Sequence, residues 1–116
     1  MRHRVSGRKF SRVRATREAF IKSLERALIE HRQILTTEAR AKTLRQSVEK
    51  LITMAKGDVS VMNKNRLLSR RHDAATIKRL KLLATDYAKR SGGYTKIIKT
   101  APRRGDGTAM AVIKMI

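Results

Sequence analysis

Between Arg90 and Lys99 the chain changes from helical to extended grammar, and this break limits the fold more than any other feature. Upstream, Ile77, Leu80, Leu83, Ala84 and Tyr87 recur at spacings of three and four, which predicts one apolar helical face. Gly92 is expected to end that helix in a left-handed conformation, with Lys89 and Arg90 against the negative end of its dipole. Gly93 then frees the chain to turn again. Tyr94 to Thr100 is β-branched and aromatic, and Ala109 to Ile116 is a second apolar run, so the two read as strands of one sheet. A flexible linker is the other reading of Gly92-Gly93, which the β-rich run that follows disfavours.

A chain of 116 residues has room for one core and one domain. Its 29 Lys and Arg face only 9 Asp and Glu, a formal net charge of +20. Such an excess repels itself in a compact state, and a polyanion is the partner that relieves it. Without cysteine there is no disulfide framework, thiolate nucleophile or cysteine zinc site, which suits a reducing cytosol. No apolar run approaches the roughly 20 residues that cross a bilayer, so no membrane partner is expected.

Residues 1–15 read as a basic arm and 16–116 as the folded domain. Residues 1–17 contain Arg2, Arg4, Arg8, Lys9, Arg12, Arg14 and Arg17 with no acidic residue, and Val5, Phe10 and Val13 give little to bury. A solvated tail is one reading; an arm that orders on phosphates is the other, favoured by arginine's bidentate fork. Thr16 is expected to cap a helix to about His31, with Glu18 in its first turn and Phe20, Ile21, Leu24, Ala27 and Leu28 on its apolar face. Arg17, Lys22 and Arg26 would balance Glu18, Glu25 and Glu30 on the opposite face, turned away from the polyanion.

Gln33 to Thr37 reads as a strand and Thr37 as the cap of the next helix, whose stripe is Ala41, Leu44, Val48, Leu51, Ile52 and Ala55 and whose stop is Gly57. Its outer face carries Arg40, Lys42, Arg45 and Lys50, either on phosphates or simply solvated. A weaker helix follows from Val59 to Arg71, with Val61 or Met62, Leu67 and Leu68 inward and Lys64, Arg66, Arg70 and Arg71 outward. With the Gly57-Asp58 turn it imitates a helix-turn-helix that would present Asn63, Lys64 and Asn65 to DNA. Asp73 caps the last helix. Arg103 and Arg104 stand on a glycine-flanked loop between the final strands, suited to a nucleic-acid groove or to an ordinary charged hairpin tip.

The glycines lack phosphate-loop spacing, and His3, His31 and His72 fall in separate elements without ligand partners. No acid–base pair stands out, so neither an enzyme nor a cofactor is expected. The expected fold is a single two-layer α+β domain, ordered helix, strand, three helices and two strands, with a small mixed sheet packed on helices. Two functions remain: a structural RNA-binding protein, or a helix-turn-helix or nucleoid-type DNA-binding protein.

The chain resembles the bacterial large-subunit ribosomal protein seventeen family over nearly its whole length. The likeness rests on Met1-Arg-His-Arg4 with Ser6-Gly-Arg-Lys9, Ile34 with Thr36-Thr37 and Arg40-Ala-Lys42, Leu51-Ile-Thr53 with Ala55-Lys56, Gly92-Gly-Tyr-Thr95, and Gly105-Asp106 with Met110-Ala111. Thr16, Lys96 and Lys114 depart from the family's usual histidine, arginine and acidic residue. The resemblance implies a structural protein of the cytoplasmic or an organelle ribosome, monomeric when free, that binds large-subunit ribosomal RNA. It also implies contact with neighbouring ribosomal proteins, including a small zinc-type one. The RNA-contacting positions expected on this reading are Arg2, His3, Arg4, Arg8, Lys9, Arg12, Arg14, Arg17, Arg40, Lys42, Arg45, Arg90, Tyr94, Lys96, Arg103 and Arg104.

Overall fold

The computed structural model describes residues 13–56 and 62–116. Their order is α1 (Arg14–His31), β1 (Gln33–Thr37), α2 (Glu38–Lys56), α3 (Met62–Arg71), α4 (Ala74–Asp86), β2 (Thr95–Thr100) and β3 (Met110–Met115), the α+β succession expected. The sheet is antiparallel throughout rather than mixed, in the order β1-β3-β2. β2 and β3 form a hairpin. β1 joins the free side of β3 because the chain leaves α1 beside the end of that strand, where Met115 N–H donates to Arg32 O at 2.9 Å. Arg32 makes this corner in the left-handed region, at φ 66°.

The α2 stripe enters the core as its spacing requires: Ala41, Leu44, Val48, Leu51 and Ile52 are buried, with Ala55 packed alongside. Thr37 caps α2, its Oγ1 accepting from Arg40 N–H at 3.2 Å, and Asp73 caps α4, accepting from Thr76 N–H at 3.0 Å. On α4, Leu80, Leu83 and Ala84 are buried with Tyr87 just beyond, and Ile77 packs at the margin. Ala111 and Ile113 of β3 close the core from the sheet side, with Ile34 and Ile97 beside them. Alternation puts Leu35, Val112 and Ile98 on the opposite face of the sheet.

Four local expectations are corrected. Helix α1 begins at Arg14, so Thr16 lies within it and Val13 is an N-cap without a side-chain acceptor; Glu18 falls in the second turn, where it meets Arg14. Its buried face is Glu25, Leu28 and Ile29, rotated from the one expected, while Phe20 is half-buried beneath the Arg40 guanidinium, 4.8 Å from the ring centre. Helix α4 stops at Asp86, capped by Tyr87 at φ −108°, and successive turns carry the chain past Lys89 and Arg90. Gly93, not Gly92, takes positive φ, at 64°. In α3, Leu68 is buried but Leu67 is exposed, and Arg71 turns inward. The Gly57-Asp58 turn and the side chains of Asn63, Lys64 and Asn65 lie outside the described residues.

Candidate nucleic-acid interface

Among the described residues, almost every carboxylate side chain is paired within the chain. Glu18 pairs with Arg14 at 3.2 Å, Asp73 with Arg26 at 3.4 Å, Glu30 with Arg79 at 3.3 Å, Glu49 with Arg45 at 3.7 Å and Asp106 with Arg103 at 3.6 Å. Glu38 takes both Lys42 at 3.1 Å and Lys99 at 3.5 Å. Glu25 is fully buried and paired with Arg71 and His72, so among the described carboxylates Asp86 alone makes no ion pair. Helix α1 therefore does not hold the balanced face its sequence suggested: Glu25 points inward and Glu30 reaches across to α4. Each exposed pair contributes about 0–1 kcal/mol, so their chief consequence is for the shape of the field.

The remaining cations define the surface. Arg17, Lys22, Arg32, Arg40, Lys50, Lys56, Arg66, Arg70, Lys78, Lys81, Lys89, Arg90, Lys96, Arg104 and Lys114 have no carboxylate within ion-pair distance among the described residues. Of these, Lys22, Arg32, Lys50, Lys56, Arg66, Arg70, Lys78, Lys81, Lys89 and Lys114 were not among the expected RNA contacts. A sequence signal for part of this set exists: residues 59–72 contain four cations and no acid. Lys78 and Lys89 carry no comparable local signal.

The expected positions divide between two ends of the molecule. Helices α1 and α2 run side by side in the same direction, since Phe20 meets Arg40 and Glu25 meets Ser47. Their N-termini therefore share one end. The hairpin base is there too, because Glu38 N–H donates to Ala109 O at 2.9 Å. This end gathers Arg14, Arg17, Arg40, Lys42, Arg103 and Arg104, with Arg45 one turn farther along α2 and the arm entering at Val13. The segment with Arg2, His3, Arg4, Arg8, Lys9 and Arg12 lies outside the described residues.

Arg90, Tyr94 and Lys96 sit at the other end, beside the C-terminus of α2. Tyr94 is only 1% exposed, and its ring stands 5.2 Å from that of Tyr87. Its hydroxyl donates to Arg90 O at 3.2 Å and accepts from Lys56 Nζ at 3.0 Å. Burial removes Tyr94 from any base-stacking surface, and it serves instead as a core residue locking β2 to α2. Arg90 is held locally, donating to Gly93 O at 3.2 Å, while Lys96 stands exposed on the edge strand.

His72, directly before the Asp73 cap, has a buried side chain whose Nε2 lies 2.8 Å from Glu25 Oε2. Glu25 also accepts from Ser47 Oγ and from Arg71 through Nε at 3.0 Å and through Nη2. Burial pushes the Glu25 carboxyl pKa up, but the Arg71 hydrogen bonds, then Ser47, then the Arg71 charge and His72 outweigh it and hold it below the ordinary 4.5. The cluster is saturated, and no described buried polar side-chain atom lacks a partner. Among the described residues no group of His, Asp and Glu could hold a metal ion, and no helix is long and apolar enough to cross a membrane.

What this surface offers is a cation-rich end whose acids, Glu18, Glu38, Glu49 and Asp106, are each already ion-paired, with no exposed aromatic platform among the described residues, which suits phosphates and shape more than stacked bases. Comparison with known proteins identifies the family. Residues 20–116 match the family described as "Ribosomal protein L17". A protein of Sulfurimonas denitrificans named "Large ribosomal subunit protein bL17" is 45% identical over 116 residues, covering all of both chains. Proteins of the same name from Zymomonas mobilis and from the Wolbachia of Drosophila simulans are 45% and 44% identical, covering all of this chain and 83% of theirs. With this family's match spanning residues 20–116 and a relative 45% identical along its full length, the chain belongs to the ribosomal protein L17 family.

Proposed function

We propose that this chain is a structural constituent of the large ribosomal subunit that binds large-subunit ribosomal RNA chiefly through its cationic α1–α2–hairpin end and the basic arm. Family membership makes it a ribosomal protein of the translating cytoplasm. The observation that carries the choice of surface is the pairing of nearly every described carboxylate within the chain. An incoming phosphate thus meets Arg17, Arg40 and Arg104 without a competing acid bound to them. Arg40 is additionally pre-oriented by Phe20, which lowers the entropy lost when it takes up a phosphate. The role is one of positioning and charge neutralisation rather than catalysis, with the free protein a monomer and its neighbours in the subunit including a small zinc-type ribosomal protein.

The test is binding of the full chain to large-subunit RNA across a salt series, beside sedimentation with large subunits. Affinity should fall steeply, by a slope of roughly 0.7 to 0.9 per neutralised phosphate on logarithmic axes. Combined alanine substitution of Arg17, Arg40 and Arg104 should flatten that slope by about two to three. A flat salt response, or an unchanged slope in the triple variant, would refute the proposed surface.

A further inference from the structure

The open face of the sheet carries an apolar row for which the described residues supply no cover. Leu35, Val112 and Ile98 lie in register across all three strands, on the side away from α1 and α2. Leu35 is 63% exposed and Ile98 39%. The neighbouring row holds Lys114 and Lys96 side by side, in register, and neither has a carboxylate partner among the described residues. Met110 extends the apolar area on the other side of the row. No side chain on this face is acidic or aromatic.

We propose that this face docks a neighbouring protein of the large subunit, one presenting an apolar patch bordered by carboxylates; the inference rests on the ribosomal reading above. A second copy of the chain is disfavoured by charge, since a self-complementary contact would bring the Lys96 and Lys114 pairs together in a protein of net charge +20. It is also disfavoured by size. Three strands at about 4.8 Å spacing and five residues at about 3.3 Å give a face of about 240 Å², far below the roughly 800 Å² per partner of a stable stand-alone interface. A contact this small needs an assembly to hold both partners in place, which a ribonucleoprotein provides. RNA is the weaker occupant because aliphatic side chains neither stack on bases as aromatic rings do nor gain from facing phosphates. An apolar patch buries the Leu35–Val112–Ile98 row, and its bordering acids meet the lysine pair.

The experiment places photoreactive benzoylphenylalanine at position 35 or 98 of the full chain, allows assembly in cells, and irradiates purified large subunits. The expected product is a crosslink from both positions to one ribosomal protein, at a segment with Asp or Glu beside apolar residues. Its yield should fall several-fold when Lys96→Glu and Lys114→Glu are added, with the chain still present in the subunit. Crosslinks to RNA or to a second copy, or none from subunits that contain the chain, would overturn the docking proposal alone. A chain absent from the large-subunit fraction would overturn the ribosomal reading and this proposal together.

Discussion

Replacing Arg71 with alanine leaves a buried carboxylate without its main charge partner. Glu25 is 0% exposed and linked to Arg71, His72 and Ser47, three contacts that join α1, α2 and the end of α3. Breaking a buried pair by removing one partner costs about 3–5 kcal/mol. The Arg71 side chain is 31% exposed, so solvent already screens part of the interaction, and a loss of about 2–4 kcal/mol is expected. For a domain of this size each kcal/mol moves the melting temperature by about 3–6 °C, giving a drop on the order of 10–15 °C by circular dichroism at pH 7. Pairing Glu25→Gln with Arg71→Met removes both charges while leaving an acceptor for Ser47 and His72, and should cost less than Arg71→Ala alone. The pH dependence has a definite sign. The Glu25 carboxyl is held below 4.5 in the folded protein, so its stabilisation is complete above the ordinary carboxylate range and is lost as pH falls through the folded-state pKa. The gap between Arg71→Ala and the parent should therefore narrow below about pH 4. An Arg71→Ala protein melting within 2 °C of the parent by about the precision of such scans, or a double variant less stable than the single, would refute the reasoning.

Other substitutions test the caps, the turn and the arm. Gly93→Val should lower stability by about 1–2 kcal/mol from backbone strain alone, because φ is 64° yet a Cβ there would meet nothing within 4 Å; Gly92→Ala, with equal space and no positive φ, should leave thermal unfolding almost unchanged. Asp73→Ala should cost about 1 kcal/mol by denaturant titration through loss of the α4 cap, and Asp73→Ser should recover most of it. Deleting residues 2–12 spares α1, which begins at Arg14, and should leave the melting temperature nearly constant while weakening RNA binding by several decades; early unfolding with undiminished binding would mark the segment as structural.

Local chemistry is where the sequence spoke most clearly. The stripe on α2, the β-branched and apolar runs that become β2 and β3, and the caps at Thr37 and Asp73 each depend on residues close together in the chain, so they are visible in one dimension. The cation excess is equally visible, since charge is summed without knowing the fold. Where charges pair is another matter. Glu25 and Arg71 are 46 residues apart, and a carboxylate next to Arg26 on a helix looks solvated until α2 and α3 pack over it. Tyr94 follows two glycines and begins a strand, as a base-stacking residue would, yet α2 brings Thr53 and Lys56 to its hydroxyl and seals it in the core. The antiparallel sheet was decided by β3 lying between two strands that approach from distant parts of the chain. Its uncovered Leu35–Val112–Ile98 row exists only once that register forms, because side-chain period fixes alternation along one strand while tertiary pairing alone decides which residues stand beside one another.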